Sequence, residues 1–582
     1  GNGISDMFAG GVNFNRDFGD NTKVMSNYFY NRVDNDLESK TTRENFSNDN
    51  SFVTEEEEEK NTENNDHQVN LEVEHTIDTS SDLTYDGNFI FNDGVTTKET
   101  KSENFNNEDV LQSRSTNEKK YTGEKFSFKN NLRYRKRLGK PGRTLTASFD
   151  FNKSNDDNEN LIKTKRSFLM DDSLGIWVED SLRQSQPRLK ENTTLSGDVR
   201  YTEPIGNKKF LQFNYEHKKL MSNNDKKFFD IDPRSDEKTL NDSLSMEYEN
   251  TYDYDKGGLR FQKNWDNTIF TVGGNVQRTS LNGQVINRDS TIEKDFFNVL
   301  PEARLNVFFT NTKRLTVKYN TRVNQPSVQQ LQPFVDNSDP LNIYQGNPDL
   351  DASYSHNFTI NYFSFSQFSF TSFFAMLRGS YTKDKIKNNV TNDPINGRVR
   401  KPVNVDNEKN VMLYSSFSTP FLKISKINLR GNGTYNNGIL FVNDVKNESD
   451  RYTGTMDVSF ENRKKKKLDG TIGAEYTYSN SQYSENKSMD QEYLNRNYYA
   501  ELDLDLFDKW NIGAEYNYYI YSGGSFDTDQ RYSMLKASIS RFLFKGNKGK
   551  IELSVYDLLK QNNGIQRSSN LNYVEETRSN VL

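Results

Sequence analysis

The feature that most constrains this chain is an alternation of apolar and polar residues with a period of two. In the clearest segment, one set of alternate positions holds Tyr498, Ala500, Leu502, Leu504 and Leu506, and the other holds Tyr499, Glu501, Asp503 and Asp505. Similar alternation occurs at 145–151, 452–460, 468–478 and 511–520. Because successive side chains of a β-strand point to opposite faces, this pattern predicts strands with one apolar and one polar face.

The alternating runs are long. They last about nine to eleven residues, the length that a tilted strand needs to cross a bilayer, whereas an ordinary strand has about five or six. Aromatic residues make up 13% of the chain, which argues against disorder, although hydrophobic residues make up only 32%. A membrane wall reconciles the two numbers, because only alternate residues of each strand face lipid.

Short and long polar segments alternate between these runs. The short ones, which we predict to be turns, are 18–21, 138–142, 205–208, 310–313, 507–509 and 545–549. The long ones, which we predict to be loops, are 36–66, 94–120, 155–187, 222–240, 326–352 and 388–404. Short turns at one rim and long loops at the other are typical of outer-membrane barrels.

The sequence therefore predicts an all-β fold, a transmembrane antiparallel β-barrel in the bacterial outer membrane. Pairing strands across the short turns gives about 22 strands, with about 22 to 24 in a full protein, a size compatible with large plugged barrels. Short turns would face the periplasm and long loops the exterior. The alternative is a soluble surface protein of repeated β-sandwiches, which the long runs and uneven spacing disfavour.

No motif supports an enzyme. The four histidines, His67, His75, His217 and His356, lie in separate segments without HExxH spacing, and no GxSxG, Walker A or GxGxxG pattern occurs in a suitable context. The chain has no cysteine, which excludes disulfides and thiolate nucleophiles. Its net charge of -7 leaves no basic footprint for nucleic acid.

Calcium is the only metal that the sequence suggests. Asp230, Asp232 and Asp236 place hard oxygen ligands in a predicted outer loop, without the spacing of an EF-hand. The glutamates at 55–59 are expected to be a solvated loop face, and the lysines at 464–467 to lie at a short turn, where they could meet lipid phosphates or anionic partners. No organic cofactor is expected.

Four stretches carry a resemblance to a known family. They are LPEARL at 300–305, LTVKYNTRVNQPSVQQLQP at 315–333, DNSDPLNI at 336–343 and GNPDL at 346–350. Together they resemble the TonB-dependent-receptor-like outer-membrane β-barrels of Bacteroidota. A weaker similarity extends over nearly the whole chain, since 3–15 resembles the family's early barrel strand and 572–582 resembles the segment before its last strand.

The resemblance implies that a strand at 315–322 enters a loop at the outer mouth of the lumen, where proline and Asn-Pro pairs fix the path of the chain. Six residues of this loop are candidates for contact with a ligand or partner: Gln329, Gln332, Asp336, Asn337, Asp339 and Asn347. A loop that only folds over the barrel is equally compatible with the sequence.

The domain organisation expected from the resemblance is a barrel alone, spanning 1–582 and incomplete at both ends. No segment resembles the plug, the periplasmic domain or the TonB box of such receptors, so TonB is an expected partner only if those parts lie upstream. Outer-membrane lipid is expected to surround the wall.

Two functions are compatible with the predicted barrel. The resemblance implies a transporter or receptor for uptake or surface recognition of a substrate such as a metal chelate, an oligosaccharide or a peptide. The alternative is a non-transporting barrel that scaffolds surface lipoproteins or periplasmic proteins in a larger outer-membrane assembly. The same strand pattern would serve both.

Overall fold

The computed structural model consists almost entirely of antiparallel strands. It describes residues 3–45, 52–171, 175–331, 335–336, 342–393, 397–442, 445–465, 467–485, 487, 490–507, 509–523, 529–546, 549–561, 564–570 and 573–580. Its helical elements are a 3-10 turn at Ile286–Arg288 and the short helix α1 at Val328–Leu331. No helix in these ranges is long and apolar enough to cross a membrane.

In chain order the strands are β1 (Ile4–Phe18), β2 (Thr22–Asn45), β3 (Phe52–Asp78), β4 (Ser81–Phe105), β5 (Leu111–Arg137), β6 (Thr144–Asp171), β7 (Ile176–Gly206), β8 (Lys209–Lys226), β9 (Phe229–Ile231), β10 (Lys238–Leu240), β11 (Met246–Asn264), β12 (Thr268–Val285), β13 (Ser290–Thr310), β14 (Lys313–Asn324), β15 (Val335–Asp336), β16 (Asn342–Gln345), β17 (Ser353–Ser366), β18 (Thr371–Lys383), β19 (Lys385–Asp393), β20 (Gly397–Val405), β21 (Glu408–Phe421), β22 (Ser425–Val442), β23 (Val445–Asn462), β24 (Leu468–Tyr483), β25 (Gln491–Leu506), β26 (Trp510–Gly523), β27 (Gln530–Leu543), β28 (Gly549–Val555), β29 (Ile565–Asn570) and β30 (Tyr573–Ser579).

Twenty-two of these strands form one antiparallel wall in which each strand pairs with the next. The wall runs from β1 to β8, then through β11 to β14, β17, β18 and β21 to β28. This confirms the predicted fold class and strand number. The eight remaining strands belong to connections or join the ends of wall strands.

The alternation places apolar side chains on one face of the wall. In the pair β25–β26, Leu502 lies opposite Ala514, and Asp503 lies opposite Gly513. The outward face exposes large apolar side chains along the whole wall, including Phe149, Val199, Leu413, Ile472 and Leu553. An apolar band of this extent is stable against lipid and not against water.

The main difference from the prediction concerns the long polar segments. Most of 36–66, 94–120 and 155–187, which we predicted to be loops, continues as strand, because β2 to β7 have 24 to 31 residues each. At about 3.3 Å per residue they reach about 80 to 100 Å, well beyond a bilayer. Outside the membrane, water contacts both faces of the sheet. The apolar alternation therefore disappears there, although the hydrogen-bonded pairing of the strands continues. We call β2–β7 the tall sheet.

The other long segments form smaller structures at the same rim. The segment 222–240 holds the end of β8 and the hairpin β9–β10, and 388–404 holds the hairpin β19–β20. At the C-terminal end, β30 pairs with Ser39–Asn45 of β2, directly beyond the part of β2 that pairs with β1. The segment that resembles the approach to a last strand therefore lies on the tall sheet.

The described turns at the opposite rim are tight, as predicted, while residues 508 and 547–548 of two predicted turns lie outside the described residues. In 138–142, Gly139 and Gly142 have φ of 59° and 88°. Glycine adopts this left-handed region without the clash that a Cβ would cause. The turn at 310–313 includes a register shift between Phe308 and Thr310.

Candidate functional site

Polar side chains converge on the luminal face of β8 and β11 to β14. The ladder places Lys218 opposite Tyr254, and Glu216 opposite Lys256. On the next strands, Glu302 of β13 lies opposite Asn320 of β14. The outermost of these residues, Glu216 and Asn320, are more than one hundred positions apart in the sequence. The register of the wall brings them onto one surface.

The loop that follows β14 folds down onto this luminal wall. Val328 and Leu331 of α1 are buried with Leu281 of β12 and Leu350 from the end of the loop, and Leu331 and Leu350 are 0% exposed. A Cβ added at Gly283 would lie 3.0 Å from Cγ1 of Val328, so the glycine allows the helix to approach the wall. The contact is apolar, as a buried loop anchor requires.

Hydrogen bonds fix the ends of the loop. The Tyr252 hydroxyl donates to the Pro326 carbonyl at 3.1 Å, and the Gln325 amide donates to the Thr279 hydroxyl at 3.1 Å. At the other end, Lys294 Nζ donates to the carbonyls of Pro348 and Leu350. The bonds from Tyr252 and Lys294 satisfy backbone carbonyls of the loop that would otherwise need other partners.

A capping box begins α1. The backbone N–H of Gln330 donates to the Ser327 hydroxyl at 3.3 Å, and the Gln330 side-chain oxygen accepts from the Ser327 N–H at 2.8 Å. This reciprocal pair satisfies two donors that a helix start leaves open. The Ser-x-x-Gln spacing is visible in the sequence, and it is the signal that could have located the helix.

The structure separates the predicted loop residues by role. Asn347 helps to hold the loop, because its side chain donates to the Pro402 carbonyl at 3.0 Å and its N–H donates to the Gln330 carbonyl at 2.6 Å. Gln329 is exposed on α1. Asp336 lies in β15, opposite Tyr344 of β16. The remaining three, Gln332, Asn337 and Asp339, lie outside the described residues.

A pocket of about 620 Å³ lies on the luminal wall beside the start of the loop. Two of its cations are neutralised: Lys256 lies 2.6 Å from Glu216, and Arg260 pairs with Glu302. Lys218, Lys318 and Arg322 also line the pocket, and no ion pair joins them to a carboxylate in the part of the chain that the structure describes. The pocket therefore presents an excess of positive charge, which sequence reasoning missed because the cations are scattered along the chain.

One family model matches the chain, described as "Outer membrane protein beta-barrel family" and covering residues 136–460. The chain belongs to this outer-membrane β-barrel family. The match includes the pocket and the docked loop. The family match and the apolar outward face both place the barrel in the bacterial outer membrane, where lipid surrounds it. Assignment to Bacteroidota stays a prediction.

Solved structures similar to the barrel include the copper transporter OprC, with 9% identity, coverage of 100% of this chain and 81% of the other, and a TM-score of 0.48. The siderophore receptor PirA of Pseudomonas aeruginosa has 11% identity, coverage of 99% and 80%, and a TM-score of 0.40. The alcaligin receptor FauA of Bordetella pertussis has 10% identity, coverage of 95% and 81%, and a TM-score of 0.37. At this similarity no ligand carries over to the barrel. No curated protein matches the chain.

The aspartates suggested for calcium have separate partners in the barrel. Asp230 accepts from the amides of Gln184 and Asn241, at 2.8 and 2.7 Å, and Asp236 forms an ion pair with Arg183 at 2.5 Å. Asp232 accepts from the N–H groups of the β9–β10 turn, which hold its pKa below the ordinary value. Among the described residues, no group of three acidic or histidine side chains is placed to hold a metal ion.

The histidines lie apart in the wall. His75 contacts the Thr22 hydroxyl and His67 the Tyr28 hydroxyl, while His217 contacts Asp255. His356 contacts the Tyr319 hydroxyl at 2.9 Å. Each has a hydrogen-bond partner on a neighbouring strand, and the four do not come together.

We predict that Asp384→Asn strengthens the docking of the loop at neutral pH. Burial, together with the charges of Asp406 and Asp351, raises the pKa of Asp384. A carboxyl with a raised folded-state pKa is destabilising when ionised, so docking should weaken as the pH rises from the ordinary aspartate pKa through the raised one. Asn tolerates the left-handed backbone at this position, where φ is 51°.

Hydrogen exchange of the amides of 347 and 349–351, followed from below the ordinary aspartate pKa value of 3.8 up to pH 8 and corrected for intrinsic rates, measures this effect. The native protein should lose protection with rising pH and Asp384→Asn should not. An equal loss in both proteins would contradict the role given to Asp384.

Proposed function

We propose that this barrel is a non-enzymatic outer-membrane receptor or transporter, and that its substrate binds in the luminal pocket beside the docked loop. The observation that carries the proposal is the excess positive charge of that pocket, formed by Lys218, Lys318 and Arg322. A low-dielectric wall around cations of one sign concentrates anions near the mouth. The favoured substrate is therefore a small molecule with anionic groups.

The loop supports the same role. Its apolar anchor holds α1 over the wall next to the pocket, while the exposed Gln329 points away from that anchor. A rigid loop beside a pocket orders the recognition surface before binding, which lowers the entropy lost on binding. Coupling to TonB belongs to this proposal only if a plug and a TonB box lie upstream.

Purification of the full protein from its native outer membrane tests the proposal. We expect a small anionic molecule to copurify, to be detectable by mass spectrometry after denaturation, and to be lost from the double variant Lys318→Gln/Arg322→Gln. The matched control is Lys313→Gln, a cation at the opposite rim of β14.

Stable copurification of protein partners, with no small molecule in the native protein or in either variant, would overturn the proposal and favour a scaffold. Retention of the molecule by the double variant would place the binding site elsewhere.

A further inference from the structure

Three lysines lie side by side on the luminal-side face of the tall sheet. The ladder places Lys60 of β3 opposite Lys98 of β4, and Lys98 opposite Lys119 of β5. Lys60 and Lys98 are each an even number of residues from the opposed pair Asn70 and Asn88, and the register between the two pairs is unbroken. The lysine side chains therefore point to the same face of the sheet as those asparagines. Neighbouring strands are about 4.8 Å apart, so the row presents one positive charge at each strand spacing.

A row of like charges in directly opposed positions destabilises a sheet. Lys98 is partly neutralised, because its Nζ lies 2.7 Å from Oε2 of Glu58. For Lys60 and Lys119, the described residues provide no carboxylate partner. The charges of the two outer members, Lys60 and Lys119, are therefore the ones without internal compensation.

The opposite face of the same strands carries a row of glutamates. There, Glu59 lies opposite Glu99, and Glu99 opposite Glu118, one position along from each lysine. Two of these glutamates have a counter-ion on that face: Lys101 lies 3.1 Å from Glu99, and Lys163 lies 2.8 Å from Glu118. The sheet thus carries its lysine row and its glutamate row on opposite faces.

The lysine row lies outside the membrane. Lys60 is 18 residues from Asp78, where β3 ends at the short-turn rim. This separation corresponds to about 60 Å along the strand, whereas a crossing needs about 9 to 11 residues. Lys119 is exposed, Lys60 and Lys98 are half-buried, and all three line a pocket of about 800 Å³ that also includes Glu59, Glu99 and Glu118. The row is therefore accessible to a ligand that approaches the mouth from the exterior.

We propose that this row is a second binding site, distinct from the luminal pocket, and that it takes an acidic polysaccharide laid across the strands. Rows on either side offer hydroxyl and amide groups, from Thr62 and Thr96 on one side and Thr100 and Asn117 on the other. These groups suit the hydroxyls of a sugar chain. Single-stranded nucleic acid also carries regular charge, but its binding relies on aromatic side chains for base stacking, and these two rows offer only Tyr121.

Binding of oligogalacturonate to the full protein in detergent tests the site, with a neutral maltooligosaccharide of equal length and an oligothymidylate as comparison probes. The variant is Lys60→Gln/Lys119→Gln. The matched control is Lys101→Gln/Lys163→Gln, which removes the same charge from the opposite face of the same sheet. We expect at least a tenfold loss of affinity in the variant, a shallower salt dependence, and less than a twofold change in the control.

Thermal unfolding without ligand checks that the variant folds, and relief of repulsion should leave its melting temperature equal to or above that of the native protein. Equal losses in variant and control would overturn the site. Equal binding of the neutral chain, preferential binding of the oligothymidylate, or no binding of oligogalacturonate by the native protein would overturn the assignment to an acidic polysaccharide. Because the luminal pocket is itself proposed to take anionic groups, binding is measured in the Lys318→Gln/Arg322→Gln background, so that the substitutions in the tall sheet report on the lysine row alone.

Discussion

Replacing Leu502 with Arg should destabilise the barrel by about 2 to 4 kcal/mol, because the substitution places a charge against lipid close to the midplane. Leu502 lies on the outward face of β25, with Gly470 and Ala514 on the neighbouring strands, and is 42% exposed in the free chain. It is about 13 Å along the strand from the short turn that follows Leu506.

The adjacent substitution Asp503→Arg provides the matched control. Asp503 points into the lumen and lies opposite Asp469, so an arginine would replace a repulsive carboxylate pair with an attractive one. Urea-dependent folding into lipid vesicles measures both variants. The contrast between two neighbouring positions is the expected result, and equal tolerance of Arg at both would mean that β25 does not span a bilayer.

Replacing Leu331 with Ala should release the loop from the luminal wall while the wall remains folded. Leu331 is 0% exposed and is packed against Leu281, Val328 and Leu350. Truncation of a buried leucine costs about 2 to 5 kcal/mol, which corresponds to an increase of about thirtyfold or more in the population of the open loop. The ladder hydrogen bonds of the wall do not involve this side chain.

Limited proteolysis of the detergent-solubilised protein measures loop release, with cleavage in 326–352 as the readout. Gln329→Ala is the control, because Gln329 lies on the same helical turn and is exposed. Faster cleavage in both variants would show that any change in α1 opens the loop, and unchanged cleavage in Leu331→Ala would contradict the apolar anchor.

The membrane part of the fold could be predicted from sequence because lipid imposes a strict rule. In β25, each even position from Tyr498 to Leu506 faces outward, and the alternation is visible without any knowledge of the neighbours. The tall sheet could not be predicted in this way. Its strands are stabilised by cross-strand pairs such as Lys98 with Glu58, and such pairs leave no periodic apolar signal.

The candidate site was predictable only in part. The resemblance pointed to the loop after β14, and the structure places that loop at the luminal wall. The pocket cations were missed because Lys218 and Lys318 are one hundred residues apart and come onto one surface through the register of four successive wall pairings. Asn347 donates to the Pro402 carbonyl, and its contact with a ligand or partner stays a prediction.

Cysteine labelling in intact cells tests the central claim, an outer-membrane barrel with its short turns in the periplasm, most directly. The chain has no native cysteine, so each introduced thiol reports one position. Glu57→Cys on the tall sheet should react with a membrane-impermeant maleimide in whole cells, whereas Lys509→Cys beside a short turn should react only after the outer membrane is permeabilised. Labelling of Lys509→Cys in intact cells while Glu57→Cys stays unlabelled would contradict the account.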